Sequence, residues 1–270
     1  MIAAGALLAR AIAAPQTIPP PAAPTAPPAA PPAAAVTAPF VVILDPAHGG
    51  ADPGARGSTG INESDVVLSF ARQIRAALQV QGISVLLTRD ADIDPSFDDR
   101  SAVANARDHA IFVSLHISST GIPGTVRVYS LPMASPQSAA PSTMPSAAGL
   151  LPPPVAEPSP HPGLRTWDNA QDSFLDLSLR LAQFLQTQLT QSFRGSPPAP
   201  ALVAVRQLRT IAAPAVAIEV SSVSVADRRQ LDAMAAPLSD AVVHAVLSFE
   251  PSYVSRAGAT PAPASAAGAP

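Results

Sequence analysis

The chain has 270 residues, a net charge of −3, arginine but no lysine, and no cysteine. A nucleic-acid partner would need a basic face, which this balance does not supply. Without cysteine, disulfides and thiolate metal sites are excluded, so any zinc must be held by His, Asp or Glu.

The chain opens on MIAAGALLARAIAAPQ, a short apolar run with an Ala-Ile-Ala step of the kind a signal peptidase cuts. Arg10 interrupts it, no basic residue precedes it, and it is too short to span a bilayer. Residues 1–14 therefore read as a signal-peptide remnant, the alternative being an Ala-rich terminus. Three stretches, Pro15 to Pro39, Pro132 to Pro162 and the tail after Glu250, are rich in Pro, Ala and Ser without apolar periodicity, and read as linker, insertion and tail. About 190 residues remain to fold, enough to bury a core.

The first of these elements is VVILDPAHGGADPG, Val41 to Gly54. Val41 to Leu44 is too short for a helix and is stopped by Asp45-Pro46, as a buried strand would be. The loop it delivers sets Asp45, His48 and Asp52 among Gly49, Gly50 and Gly54, which let the backbone turn tightly. Ligands of open α/β sheets gather beyond the carboxyl ends of strands, so His48 is the first candidate for chemistry.

Glu63 to Gln81 carries Val67, Phe70, Ile74, Ala77 and Leu78 on one helical face, with Gly82 placed to end it. Ile83 to Thr88 reads as a strand, Phe97 to Arg107 as a short helix with Val103 and Ala104 inward, and Ala110 to Leu115 as a third strand closed by His116. This alternation predicts a parallel sheet with crossover helices. Thr125 to Leu131 sets Val126, Val128 and Leu131 against Arg127 and Ser130, as a strand at or near a sheet edge does. Beyond the insertion, Phe174 to Leu189 forms a long amphipathic helix, begun by Trp167, Asp168 and Gln171. Ala201 to Val205 reads as a short strand and Ala215 to Val220 as a buried one. Leu231, Met234, Leu238, Val242 and Val246 stripe a closing helix.

His48, Glu63 and His116 all fall at element ends on one rim of this sheet. Two imidazoles and a carboxylate are a standard ligand set for a catalytic zinc, a Lewis acid that polarises carbonyls and acidifies water. A general base is still needed. Glu219 sits at the end of an apolar strand, in AVAIEVSS, where a carboxylate is costly to bury without a cation or hydrogen bonds. Taken alone, it would equally suit a solvated strand end.

In order along the chain, DPAHGGADPG, GINESDVVL, LLTRDAD, DDRSAVANA, IFVSLHIS and PAVAIEVSS resemble the blocks of the zinc-dependent N-acetylmuramoyl-L-alanine amidases of the cell wall, the amidase-3 type, from Phe40 to about Phe249. The resemblance implies Zn2+ held by His48, Glu63 and His116, with Glu219 as the catalytic glutamate. It implies an α/β fold, a twisted, largely parallel mixed sheet flanked by helices on both faces. This is a single catalytic domain at 40–249 with a Pro/Ser-rich insertion at 132–163 and a Pro/Ala tail at 250–270. The implied reaction is hydrolysis of the amide joining the lactyl group of N-acetylmuramic acid to L-alanine. The implied partner is peptidoglycan, met in the periplasm or cell envelope by a monomer, with room for a protein activator.

Two segments depart from the family pattern. Ile117 and Ser118 stand where the family commonly has Ala and Asn, and Val220 to Ser224 where it tends to read Gly-Phe-Leu-Ser-Asn. A zinc carboxypeptidase on stem peptides would share the ligand set, and the altered segments also suit a catalytically weak peptidoglycan-binding or regulatory relative. Asp45 is placed either to orient a ligand imidazole or to form a turn. Asp52 and Asp65 suit turn or helix capping. His109 and His244 read as structural or surface residues, His161 as an exposed histidine of the insertion with reach to the metal as the alternative, and Trp167 as packing, the alternative being a sugar or peptide contact. Arg206 and Arg209 are candidates to meet a stem-peptide carboxylate.

Overall fold

The computed structural model describes residues 39–133 and 167–257; the expected leader, nearly all of the linker and insertion, His161 and the end of the tail lie outside the described residues. Six strands, β1 (Val41–Pro46), β2 (Ser84–Leu87), β3 (Ala110–Ser118), β4 (Thr125–Ser130), β5 (Ala201–Leu202) and β6 (Ala215–Ser221), form one sheet in the order β2-β1-β3-β6-β4-β5. The strands β2, β1, β3 and β6 are parallel, whereas β4 runs antiparallel to β6 and β5 runs parallel to β4. The sheet is thus mixed and largely parallel, as expected.

The helices are α1 (Glu63–Val80), α2 (Phe97–Asn105), α3 (Leu175–Ser192), α4 (Arg206–Arg209), α5 (Arg228–Asp232) and α6 (Ala235–Ala257). A capping box starts α2: the Ser96 hydroxyl accepts from the Asp99 N–H, and the Asp99 carboxylate accepts from the Ser96 N–H.

Alternation along the strands divides the core in two. Val42, Leu44, Ile111, Val113, Leu115, Val216 and Ile218 pack with Phe70 and Ile74 of α1, Leu181 and Leu185 of α3, and Val242 and Val246 of α6. On the opposite face Val41, Ile43, Ala110, Phe112, Ala215 and Ala217 meet a smaller set, Ala104 of α2, Leu208 of α4 and Ile211. Continuing each strand on that second face leads to Asp45, Ser114, His116 and Glu219. The sheet order turns back between β1 and β3, since β2 lies on one side and β6 on the other. A crevice at the carboxyl ends of such a pair is where open α/β sheets bind ligands.

The structure corrects several local expectations. β3 continues to Ser118, so His116 lies within the strand: the apolar run ends at Leu115, but backbone pairing with β6 persists to Ser221. Ser130 is fully buried rather than outward, because alternation puts it on the face of Val126 and Val128. Trp167 and Gln171 lie in a separate 3-10 segment, Trp167–Ser173, ahead of α3. Leu231 belongs to α5 and Met234 precedes α6, so the closing stripe spans a break, and α6 continues past Pro251 to Ala257. No helix among the described residues is long and apolar enough to cross a membrane.

Candidate metal centre

The loop after β1 is held from behind by two buried arginines. Arg89 donates to the carbonyls of Pro46 at 2.8 Å, Ala47 at 2.9 Å and Ser64 at 2.8 Å. Arg100 pairs with Asp45 at 2.7 Å and donates to the carbonyls of Pro46 and His48. Held in this way, His48 adopts a left-handed backbone with φ of 60°, which non-glycine residues rarely take and which is tolerated where surrounding contacts impose it. At Gly54, φ is 65° and an added Cβ would lie 2.6 Å from Glu63 Oε2 and 2.7 Å from His48 Cδ2. Glycine at that position is what allows these two side chains to converge.

The cluster draws on three elements: the loop after β1, the first turn of α1, and β3. Ligand atoms of His48, Glu63 and His116 all lie within 4.8 Å of one another. His48 Nδ1 is 2.6 Å from Asp52 Oδ2, so that nitrogen donates outward and Nε2 faces Glu63 Oε2 at 3.3 Å. On the other side, the Ser114 hydroxyl donates to Asp45 Oδ2 at 2.9 Å and lies 3.2 Å from His116 Nε2. Its proton committed to Asp45, Ser114 accepts from His116 Nε2–H, which leaves Nδ1 facing Glu63 Oε1 at 3.1 Å. Each imidazole is thus anchored outward along a chain ending in a carboxylate and turns its other nitrogen inward, to donate to Glu63 while protonated or to ligate a metal once that proton is lost.

Glu63 is only 3% exposed, and its oxygens also accept the N–H groups of Ala55 at 2.8 Å and Ile117 at 2.9 Å. Burial works to raise its pKa, but hydrogen bonds from His116, His48 and the Ala55 N–H outweigh this and hold it well below the usual carboxylate range. The hydrogen bond to Glu63 raises His48 to about 9, with Asp52 adding to the effect against the opposing influence of burial. The bond to His48 in turn lowers Asp52. Two inward nitrogens facing a buried carboxylate need a cation between them, a proton or a metal. The same attraction that draws a proton to His48 draws a divalent metal, so the donor set fits zinc.

Glu219 stands on β6 directly across from His116 in the register, with Arg127 of β4 as its partner on the other side. Its Oε1 accepts a 3.1 Å hydrogen bond from the Tyr129 hydroxyl, whose pKa is raised by burial and by the Glu219 charge. The Glu219 carboxylate is not one of the three clustered ligands.

Sequence reasoning missed Ser114, Tyr129 and the two buried arginines. Ser114 lay inside an apolar run and Tyr129 on an alternating strand, and neither has a local signature. Arg89 and Arg100 stand within the recognised LLTRDAD and DDRSAVANA blocks, which was the available signal. Asp45 reaches His116 only through Ser114, while Asp52, expected to shape a turn, does so through the Gly54 N–H and also holds His48. Asp65 is exposed in the first turn of α1, and His244 is exposed on α6. His109 packs against Tyr253.

The departures after His116 leave the cluster intact. Ile117 contributes its backbone N–H to Glu63 and buries its side chain in the core. Ser118 donates to the Thr120 carbonyl, and its Oγ lies 3.3 Å from that of Ser221.

A cleft of about 460 Å³ opens over His48 and His116. Arg206 lines it; Arg209 does not.

The profile of the N-acetylmuramoyl-L-alanine amidase family matches residues 42–246. The chain is 43% identical over 76 residues to N-acetylmuramoyl-L-alanine amidase AmiC of Neisseria meningitidis, covering 28% of this chain and 18% of that protein. It is 39% identical over 82 residues to the sporulation-specific N-acetylmuramoyl-L-alanine amidase of Bacillus subtilis, covering 30% of this chain and 32% of the other. The aligned region thus spans no more than a third of the length of these relatives.

Among solved structures, an amidase from Clostridium difficile 630 superposes with a TM-score of 0.57 at 22% identity, over 79% of this chain and 98% of that one. The CwlD amidase of Clostridioides difficile, solved in complex with the GerS lipoprotein, gives 0.55 at 16% identity over 78% and 98%. These likenesses show a shared fold. With the family profile matching well over half of its length, the chain belongs to the N-acetylmuramoyl-L-alanine amidase family of the amidase-3 type.

Proposed function

We propose that this protein hydrolyses the amide between N-acetylmuramic acid and L-alanine in peptidoglycan, with zinc held by His48, Glu63 and His116 and with Glu219 as the proton carrier. The observation that carries this reading is the convergence of three ligand atoms within 4.8 Å beside a cleft that His48 and His116 line, with both imidazoles oriented from outside. When bound there, zinc supplies a Lewis acid that polarises the scissile carbonyl and lowers the pKa of the attacking water.

The protein's own groups manage the protons. Glu219 takes the proton of the attacking water and passes it to the nitrogen of the departing L-alanine, which leaves as an amine. Tyr129 fixes one Glu219 oxygen and leaves the other to accept that proton. Asp52 and the Asp45–Ser114 pair keep both imidazoles in the tautomers that face inward.

A reaction on the cell wall puts the protein outside the cytoplasm, in the periplasm or envelope, in keeping with 1–14 as a leader remnant and 15–39 as a tether ahead of a catalytic domain that begins at 40 and runs on through α6 to Ala257. We further propose that it works as a monomer, and that it accepts a protein activator; a relative's structure in complex with a lipoprotein supports the second of these.

The test is digestion of purified peptidoglycan by the full chain, with and without zinc, beside Glu219→Ala, with products read by mass spectrometry. Zinc-dependent release of stem peptides beginning at L-alanine, lost in the variant, is the expected result. Loss of a C-terminal residue from the stem would instead make it a carboxypeptidase. Zinc uptake without any cleavage would make it a peptidoglycan-binding relative.

A further inference from the structure

The cleft over the metal centre has a second wall that the reaction above does not use. It is formed by Phe97, at the start of α2, and by Arg206 and Gln207, at the start of α4. Gln207 is only 5% exposed, yet its side-chain Nε2 and Oε1 are both buried without a hydrogen-bond partner. Among the described residues no other side chain is in that condition. Leaving both ends of a buried amide unpaired costs stability, and such groups call for an explanation.

Beside it, the Arg206 guanidinium lies over the Phe97 ring, 5.0 Å from its centroid, and has no carboxylate partner among the described residues. Arg100, the other cation of the cleft, is already paired with Asp45 at 2.7 Å and Asp94 at 3.5 Å. A primary carboxamide presents a donor and an acceptor side by side, which is the complement of the C=O and N–H that one residue of an extended peptide turns to the same side. A stacked guanidinium with free donors is the complement of a carboxylate.

We propose that this wall is the subsite for the peptide portion of the substrate. In it, Gln207 pairs through its N–H and its carbonyl with the C=O and N–H of one extended residue, and Arg206 binds a carboxylate of the same peptide. This rests on the reading that the substrate is a muramoyl peptide. Gln207 then acts in specificity, giving up folding stability until a peptide pairs it.

The test is isothermal titration of the zinc-supplied full chain with a stem tripeptide beginning at L-alanine, in one form with free carboxylates and in another with them amidated. The wild type should bind the free form about tenfold more tightly than the amidated one. Arg206→Gln should bind both alike, at the level of the amidated form. Gln207→Met, similar in shape but without polar atoms, should bind both about tenfold more weakly than the wild type and melt at a higher temperature.

Wild-type affinity in Gln207→Met, or a lower melting temperature in it, would overturn the assignment and make the amide structural. Equal affinity of the wild type for the two peptides would remove Arg206 from the subsite. Peptidoglycan hydrolysis, measured alongside, separates the two proposals. If hydrolysis is retained while the variants bind like the wild type, the subsite alone is rejected. If the peptides bind as described but nothing is cut, the reaction alone is rejected.

Discussion

On one face of the sheet, side chains remain apolar to the carboxyl ends of the strands, through Leu44, Leu115, Ile117 and Val220, under α1, α3 and α6. On the other face, the apolar series stops at Ile43, Phe112 and Ala217, and the next positions on the same pleat are Asp45, Ser114, His116 and Glu219. A single change of residue type along alternate positions converts a packed face into one that gathers polar and titratable side chains. The covered face can supply most of the stability, which lets the open face carry strain at His48, a buried carboxylate at Glu63 and an unpaired amide at Gln207.

The largest effect is expected at Glu219. Replacing it with alanine should lower hydrolysis by about 10²–10⁴-fold, the usual worth of a positioned proton carrier, while the thermal midpoint moves little. A large fall in stability would show that Glu219 belongs to the packed structure instead. The mirror-image change is Leu181→Ala on the covered face. It should cost about 2–5 kcal/mol in urea unfolding, with zinc stoichiometry unchanged in the fraction that remains folded. Next comes Asp52→Asn, which removes the carboxylate behind His48. Zinc affinity should fall by about 10–100-fold in a competition titration, with unfolding close to that of the wild type. The smallest effect is expected for Tyr129→Phe. Losing one half-exposed hydrogen bond to Glu219 should reduce turnover roughly fivefold, about 1 kcal/mol, with substrate affinity unchanged.

The two faces were also unequally legible in the sequence. The covered face announces itself by period: Val67, Phe70, Ile74 and Leu78 mark α1, whose observed bounds differ from the expected ones by a single residue at the end. His48, Glu63 and His116 were legible because two imidazoles and a carboxylate stood at the expected element ends, His116 in fact lying two residues inside β3, and because the surrounding blocks resembled a family. What supports them was not. Ser114 acts through a chain from Asp45 to His116 that exists only once β1 and β3 pair, and Asp45 and Ser114 are register partners in that pairing. Gln207 lies in a four-residue helix too short to leave a periodic signal, and its condition is defined by atoms distant in sequence. The end of β3 was misplaced for the same reason: hydrogen bonding to β6 carries the strand past the point where its apolar run stops.

The central claim is that the open face holds one metal through His48, Glu63 and His116. The most direct test is calorimetric titration of the metal-stripped full chain with zinc, beside His116→Ala, with the thermal unfolding of both metal-free proteins recorded. The wild type should bind one equivalent of zinc tightly and the variant far more weakly, with similar unfolding of the two without metal. Zinc taken up equally by both proteins would contradict the claim.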